Sequence, residues 1–503
     1  MKVEPEQIEV FETVGVSAVA AEQGSRFSAL ARDVATMGVS TVIGAVFNTL
    51  LVFLIPRLIS VEDFGYWRLF LLYSSYAGFM HFGFADGALL RWAGRPLEEF
   101  CNEILPSIKF VFWQHLALLT PAFLIVAVFA PSRLKFIAIA IMIFAVVINL
   151  ATVLQNSLQA ARQFKPVALA TAASTGSFLI LASLWQLRAD HSFRALIVLY
   201  CVSWAFVLVY LWTRVRPIRN LRSTDSAWSL GKRYILLGWP IMLASGGLGV
   251  VQSADRIIVS LALPIRDFAK YSLASSMMSV PVTAIAAVYC VFFSHVAAVE
   301  HEGRARVYGH ASRFLLLAWS LLLPYFFGLE VFIRWFLPKY LTSLPVAGIL
   351  VLGVIFVAGI QILQMSFAFL YGRQRQFLFL TVGGLVLSFS VALVMAFWLR
   401  SLVAVAIGQV VSLAIWWLIN EWKLRDVTGQ GLKDWVRVIG LIGWSIASYG
   451  LTMQLSHQPA MRISIYYLLV SLVLWFACRD ELRIGWNLMG WNKPGVSRCD
   501  FPQ

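Results

Sequence analysis

An all-α, polytopic membrane protein is the fold this sequence predicts, and three observations predict it. Of its 503 residues 60% are hydrophobic and only 13% charged, and the mean hydropathy of +0.78 lies far outside the range of soluble globular domains. The apolar residues gather into runs of roughly twenty or more, each long enough to cross about 30 Å of hydrocarbon as a helix. The lysines and arginines sit mostly in the short segments between those runs. The net charge of +15 is therefore read first as membrane orientation and not as a nucleic-acid footprint.

The runs fall at 37–58, 65–90, 104–130, 134–157, 165–187, 193–213, 233–262, 269–298, 312–333, 343–370, 377–398, 401–421, 436–455 and 463–478, which predicts about fourteen transmembrane helices. With the N-terminus placed in the cytoplasm, the cytoplasmic segments collect about twice as many Lys and Arg as the outer ones, so both termini are expected inside. Residues 1–36 are polar, with Glu4, Glu6, Glu9, Glu12 and Glu22 and no apolar stretch beside Met1. They predict a cytoplasmic lead-in and not a cleavable signal. Cys101, Cys201, Cys290, Cys478 and Cys499 show no CxxC or metal-ligand spacing, and read as small hydrophobes.

Two local echoes organise the spans. In LLVFLIPRLISVEDFGYWRLFLLYSS (50–75) an apolar run meets Pro56 and Arg57, passes a short polar turn with Glu62, Asp63 and Gly65, and re-enters an apolar run behind Tyr66 and Trp67. LALPIRDFAKYSLASS (261–276) overlays it with Asp63 and Phe64 on Asp267 and Phe268, and Leu69 on Leu273. QAARQF (159–164) likewise has a counterpart in GRQRQF (372–377). An even number of spans separates the copies, which predicts two parallel six-helix lobes around a central cavity. The lobes are expected at 37–213 and 233–421, joined by a basic cytoplasmic linker at 214–232, with extra helices thirteen and fourteen at 422–478 and a cytoplasmic tail at 479–503.

A charge at the bilayer centre costs about 2.5 to 3.5 kcal/mol, so charged residues inside spans are candidates for function and need a partner or water. Asp255 and Arg256 follow the glycine-rich GGLGVVQS of span seven, behind Pro240, where the helix is free to bend and open carbonyls to a cavity. Arg256 is either an anion contact or half of a packing ion pair. Span two carries His81 and Asp86, with Arg91 at its end; Asp86 is either a titrating group or the partner of Arg91. His115 and His295 read as packing residues, because no carboxylate or cysteine lies at metal spacing. Asn48, Asn149, Gln155, Asn156, Gln252, Gln361 and Gln364 suit hydroxyl-rich ligands and interhelical hydrogen bonds equally. Glu330 and Arg334, at i and i+4, read as a structural pair. No phosphate-binding loop, catalytic constellation, cofactor motif or metal set stands in the sequence, which predicts a non-enzyme without cofactors and argues against ATP-driven transport by this chain alone.

With those residues in hand, LVFLIPRLISVEDFGYW, SADRIIVSLALPIRDFAKYSLA and FLPKYLTSLPVAGILVLG (336–353) resemble the polysaccharide transporter family, the Wzx-type O-antigen flippases of the multidrug/oligosaccharidyl-lipid/polysaccharide exporter superfamily. The likeness covers spans one to twelve, and departs from the family where Ala269 and Lys270 precede Tyr271 in place of the usual glycine. The resemblance implies a flippase of the bacterial inner membrane. Its substrate would be an undecaprenyl-diphosphate-linked oligosaccharide, an O-antigen, capsule or exopolysaccharide unit, moved outward by alternating access, with a polysaccharide polymerase and glycosyltransferases as partners. One charge moved across about 100 mV is worth roughly 2.3 kcal/mol, so an ion or proton gradient suffices to bias two lobes. Arg256, Arg57 and Arg91 are the expected anion contacts; Asp86, Asp255 and His81 are the expected coupling groups. A drug or cation antiporter of the same superfamily is the alternative, and would place unpaired carboxylates in the cavity. A membrane polymerase or ligase would need larger outer loops, and a glycosyltransferase scaffold more cytoplasmic surface.

Overall fold

A computed structural model describes residues 43–185, 192–215, 226–278, 281–282 and 301–477. The lead-in, part of the linker, most of the second half of span eight with Cys290 and His295, and Cys478 with the tail lie outside the described residues. Among the described residues the regular structure is helical, with no strand. Nine helices there are long and apolar enough to cross a membrane, and Ile43–Leu58 and Pro459–Trp475 are shorter apolar helices; the expected fourteen is not reached as a count.

The first helix, α1 (Ile43–Leu58), is followed almost at once by α2 (Val61–Ser74). The polar stretch expected as a turn is the start of α2, because Ser60 caps it: its Oγ accepts the Asp63 N–H at 3.0 Å and donates to Asp63 Oδ2 at 2.7 Å. Its twin is built in the same register. There α9 (Ala254–Ala262) and α10 (Ile265–Met277) meet across Pro264, whose carbonyl receives the Phe268 N–H at 3.0 Å as Ser60 O receives that of Phe64 at 2.9 Å.

Span two is broken. After α2 comes a 3-10 turn, Ala77–His81, then Phe82 and Gly83 at φ 51° and 81°, then α3 (Phe84–Trp92). The left-handed backbone ends the helical hydrogen-bond ladder, and glycine takes the second position without Cβ strain. The chain continues through α4 (Leu97–Phe129), α5 (Ser132–Ala160), α6 (Phe164–Trp185), α7 (Phe193–Val215) and α8 (Ala227–Val251). Span seven is broken too, where Gln252 and Ser253 separate α8 from α9.

Beyond the undescribed stretch run α11 (His301–Leu322) and α12 (Tyr325–Phe336), divided at Pro324, then α13 (Leu344–Ala358), a π turn (Gly359–Gln364) and α14 (Met365–Leu370). After α15 (Gln374–Val394) comes α16 (Leu402–Thr428), which Ser401 caps and Gly429 at φ 63° ends. The described residues close with α17 (Leu432–Leu455) and α18 (Pro459–Ala477). The second echo is also real in the backbone, three residues out of the sequence register. Arg162 donates to Gln159 O and Gln163 to Leu158 O; Gly372 donates to Phe369 O and Arg373 to Ala368 O. Both turns carry a positive φ, at Arg162 and at Gly372.

The chain divides into two compact units, Met1–Ile59 with Tyr66–Ser245, and Ser60–Gly65 with Gly246–Gln503. The boundary falls inside α8 because its first part is bound to α3. A Cβ on Gly238 would stand 2.0 Å from Gly83 O and 2.3 Å from Gly87 N, so only hydrogen fits at that crossing. Tyr234 and Trp92 both donate to Glu103 of α4, the Trp92 bond at 2.9 Å, and lock the same corner. In the second unit α16 packs between α13 and α15. The extra helices are built into it: Ser320 and Ser445 lie 2.9 Å apart, Tyr466 donates to Ser320 O at 2.9 Å, and Arg462 reaches Glu330 Oε2 at 2.6 Å while Arg334 holds Oε1 at 2.7 Å.

Candidate functional site

The backbone on both sides of the break in span two is braced by side-chain amides of α4 and α5. Asn149 Nδ2 donates to Ala77 O at 2.8 Å, Asn156 Nδ2 to Ala85 O at 2.9 Å and Gln114 Nε2 to Met80 O at 3.3 Å. His115 is fixed beside them. Its Nδ1 stands 2.8 Å from Val111 O, which only accepts, so Nδ1 carries the proton and Nε2 accepts from Asn149 at 2.9 Å. His81 is buried and its Nδ1 accepts the Gly83 N–H at 3.0 Å, which ties the ring to the break. His115 is thus a satisfied packing residue, and Asn149 and Asn156 serve interhelical bonding.

Asp86 lies in the first turn of α3, where the positive end of the helix dipole favours a carboxylate. It is half-buried, and among the described residues no cation pairs with it. Arg91, in the last turn of α3, is exposed. The two do not form the pair that the sequence offered as one option, since five residues along a helix turn them to different sides. Arg57 is exposed at the end of α1.

The break in span seven is furnished differently. Asp255, 2% exposed, accepts from Tyr271 Oη at 2.6 Å and from the Arg256 backbone N–H at 2.7 Å. Its carboxylate therefore closes the N-terminus of α9 and is anchored to α10. The Arg256 side chain does not return to Asp255: one Nη donates to Ser253 Oγ at 2.6 Å, and Nε is buried with no hydrogen-bond partner. Gln409 of α16 donates to Val251 O at 3.1 Å, while its Oε1 and the Gln252 Nε2 are also buried and unbonded. Arg256, Gln252 and Gln409 thus gather unused donors and an unused acceptor around one opened turn of helix, a composition suited to an oxyanion flanked by hydroxyl groups. Sequence reasoning singled out Asp255, Arg256 and Gln252 and missed Tyr271, Ser253 and Gln409. Tyr271 belongs to the twin hairpin, and Gln409, alone among apolar neighbours in VAVAIGQVV, is the signal that was available.

Arg57 and Arg91 belong to the first unit and Arg256 to the second. Among the described residues no group of three or more His, Cys, Asp or Glu stands in metal-holding geometry.

Comparison with known proteins places this architecture. Residues 54–345 match the family described as polysaccharide biosynthesis protein. A comparison with curated proteins finds no match. The fold is similar to that of the lipid II flippase MurJ in an inward closed conformation, at 13% identity and a TM-score of 0.65 over 89% of this chain and 99% of that one. It is also similar to an inward-facing MATE family multidrug resistance transporter of the MOP superfamily, at 12% identity and a TM-score of 0.60 over 77% of this chain and 96% of that one. A MOP superfamily transporter from Pyrococcus furiosus follows at 13% identity and a TM-score of 0.53, over 78% and 96%. The all-helical, multi-pass fold expected from the sequence is the one these proteins share, and the match over more than half of the chain makes this protein a member of the polysaccharide biosynthesis protein family.

Proposed function

We propose that the chain is a flippase that carries undecaprenyl-diphosphate-linked oligosaccharide outward across the bacterial inner membrane. The observation that carries this reading is Arg256, a cation on a half-helix inside an apolar span, with Nε buried and unbonded and its neighbouring carboxylate already engaged by Tyr271. A guanidinium so held has capacity left for a phosphate oxygen, and a diphosphate is the charged element of a lipid-linked saccharide. Family membership supports the saccharide, and the flippase among the structural neighbours supports transport of a lipid-linked substrate.

In this reading 37–213 and 233–421 are the two lobes of an alternating-access transporter, joined by 214–232. Residues 1–36 and 479–503 face the cytoplasm, and helices 422–478 are additions. Arg57 and Arg91, exposed on the first unit, are secondary anion contacts. Asp86, Asp255 and His81 are the coupling groups, drawing on a proton or ion gradient, and a polymerase with glycosyltransferases supplies and consumes the substrate. One observation favours a second reading, a drug or cation antiporter: Asp86 is a half-buried carboxylate without a cation beside it among the described residues.

Deletion of the gene separates the two. The flippase reading expects lipid-linked oligosaccharide to accumulate on the inner leaflet while surface glycan disappears. Normal surface glycan with no accumulation, joined to sensitivity to cationic drugs, would establish the antiporter instead.

A further inference from the structure

We propose that Glu421 is a proton-binding site of the second unit, occupied as a neutral carboxylic acid in the structure described here. Glu421 lies in α16, 8% exposed. Its Oε2 accepts from Tyr308 Oη of α11 at 2.6 Å and from Gln364 Nε2 at 3.0 Å. Tyr308 is 1% exposed and Gln364 fully buried, and both donors are neutral. Gln364 closes the π turn Gly359–Gln364, a distortion that swings its side chain toward α16, where Nε2 also donates to Trp417 O at 2.9 Å.

The basic residues on the elements around Glu421 are committed elsewhere. Arg373, after α14, donates to Lys423 O at 3.0 Å; Arg425 donates to Gln430 O at 3.2 Å and lies 5.7 Å from the Trp422 ring; His310 and Arg313 of α11 face each other at 3.3 Å. Among the described residues neither these nor Arg304, Arg306, Arg375 or Lys423 forms an ion pair with Glu421. Leaving an ionised carboxylate buried with no countercharge costs several kcal/mol, far more than two neutral hydrogen bonds return. The neutral acid removes that cost and keeps both bonds, since its carbonyl oxygen still accepts them.

The proton comes from water and adds to Oε1, which takes no hydrogen bond from the described residues. Gln364 Oε1 is itself buried without a partner, so the cluster adds an unused acceptor and no cation. None of the coupling groups named above belongs to this cluster, and its use in driving transport rests on the flippase reading; proton occupancy does not.

Infrared difference spectroscopy on the purified full-length protein in lipid, stepped between acid and alkaline pH, tests the proposal directly, whatever the chain transports. The expected result is a carboxylic acid carbonyl band that is lost in Glu421→Gln and kept in Asp86→Asn. Tyr308→Phe, which keeps the carboxyl and serves where Glu421→Gln does not fold, is expected to retain the band. Loss of the Tyr308 donor is expected to shift the pH midpoint of that band. An unchanged band in Glu421→Gln, or an unchanged midpoint in Tyr308→Phe, would overturn the proposal. So would sodium that raises the melting temperature of the wild-type protein and not of Glu421→Gln, which would make the cluster a metal-ion site.

Discussion

Spans two and seven both break inside an apolar stretch and both resume with an aspartate in the first turn, at Asp86 and at Asp255. In span two the backbone beside the break is braced by Asn149, Asn156 and Gln114, and among the described residues no cation pairs with the aspartate. In span seven the aspartate is bonded twice, and the buried atoms left unbonded include two donors, Arg256 Nε and Gln252 Nε2, beside Gln409 Oε1, whereas at span two they are the acceptors Asn149 Oδ1 and Gln114 Oε1. An opened helix turn in a membrane protein is therefore two separable things, a set of backbone groups that must be satisfied and a set of side chains left over. The first is structure and the second is capacity for a ligand.

Substitutions at the two breaks are expected to act in that sense. The largest loss of stability falls on Gly238→Ala, whose methyl has backbone on both sides at the α3 crossing. The methyl costs about 3 kcal/mol by overpacking, seen as a steep fall in the melting temperature of the detergent-purified protein or as failed insertion. Asn149→Ala removes an amide shared among Ala77 O, Ala145 O and His115 Nε2 in the first unit and is expected to cost about 2 kcal/mol; an unchanged melting temperature would show that the asparagine does not brace that break. Tyr271→Phe takes one of two donors from Asp255, for a loss of about 1 to 2 kcal/mol, and Asp255→Asn combined with it is expected to restore part of that loss by removing the charge. Gly249→Ala is the smallest case. Among the described residues nothing lies within 4 Å of its Cβ position, so the melting temperature stays unchanged or rises with the ~0.5 to 1 kcal/mol of stability that alanine adds to a helix.

Hydropathy made the spans legible, because twenty apolar residues have few alternatives to a membrane helix. The twin hairpins were legible because their polar start residues recur at fixed spacing, although the capping by Ser60 moved Glu62, Asp63 and Gly65 from a loop into α2. The breaks were only half legible. Gly246, Gly247 and Gly249 drew attention to span seven, yet the helix opens three residues later, at Gln252 and Ser253, where no glycine stands. In span two nothing in MHFGFADG announces a left-handed Phe82. Partners far apart in sequence were invisible: Tyr271 for Asp255, Arg462 for Glu330, and Tyr308 with Gln364 for Glu421. Each depends on which helices lie side by side, and a single sequence read by periodicity does not carry that information.

The break in span seven leaves Arg256 Nε with a hydrogen bond to give to substrate. Translocation of lipid-linked oligosaccharide by the purified protein in proteoliposomes, compared between wild type and Arg256→Ala, tests it most directly. Loss of translocation with an unchanged melting temperature is expected, since among the described residues the Arg256 side chain makes one hydrogen bond, to Ser253. Translocation at the wild-type rate by Arg256→Ala would contradict it.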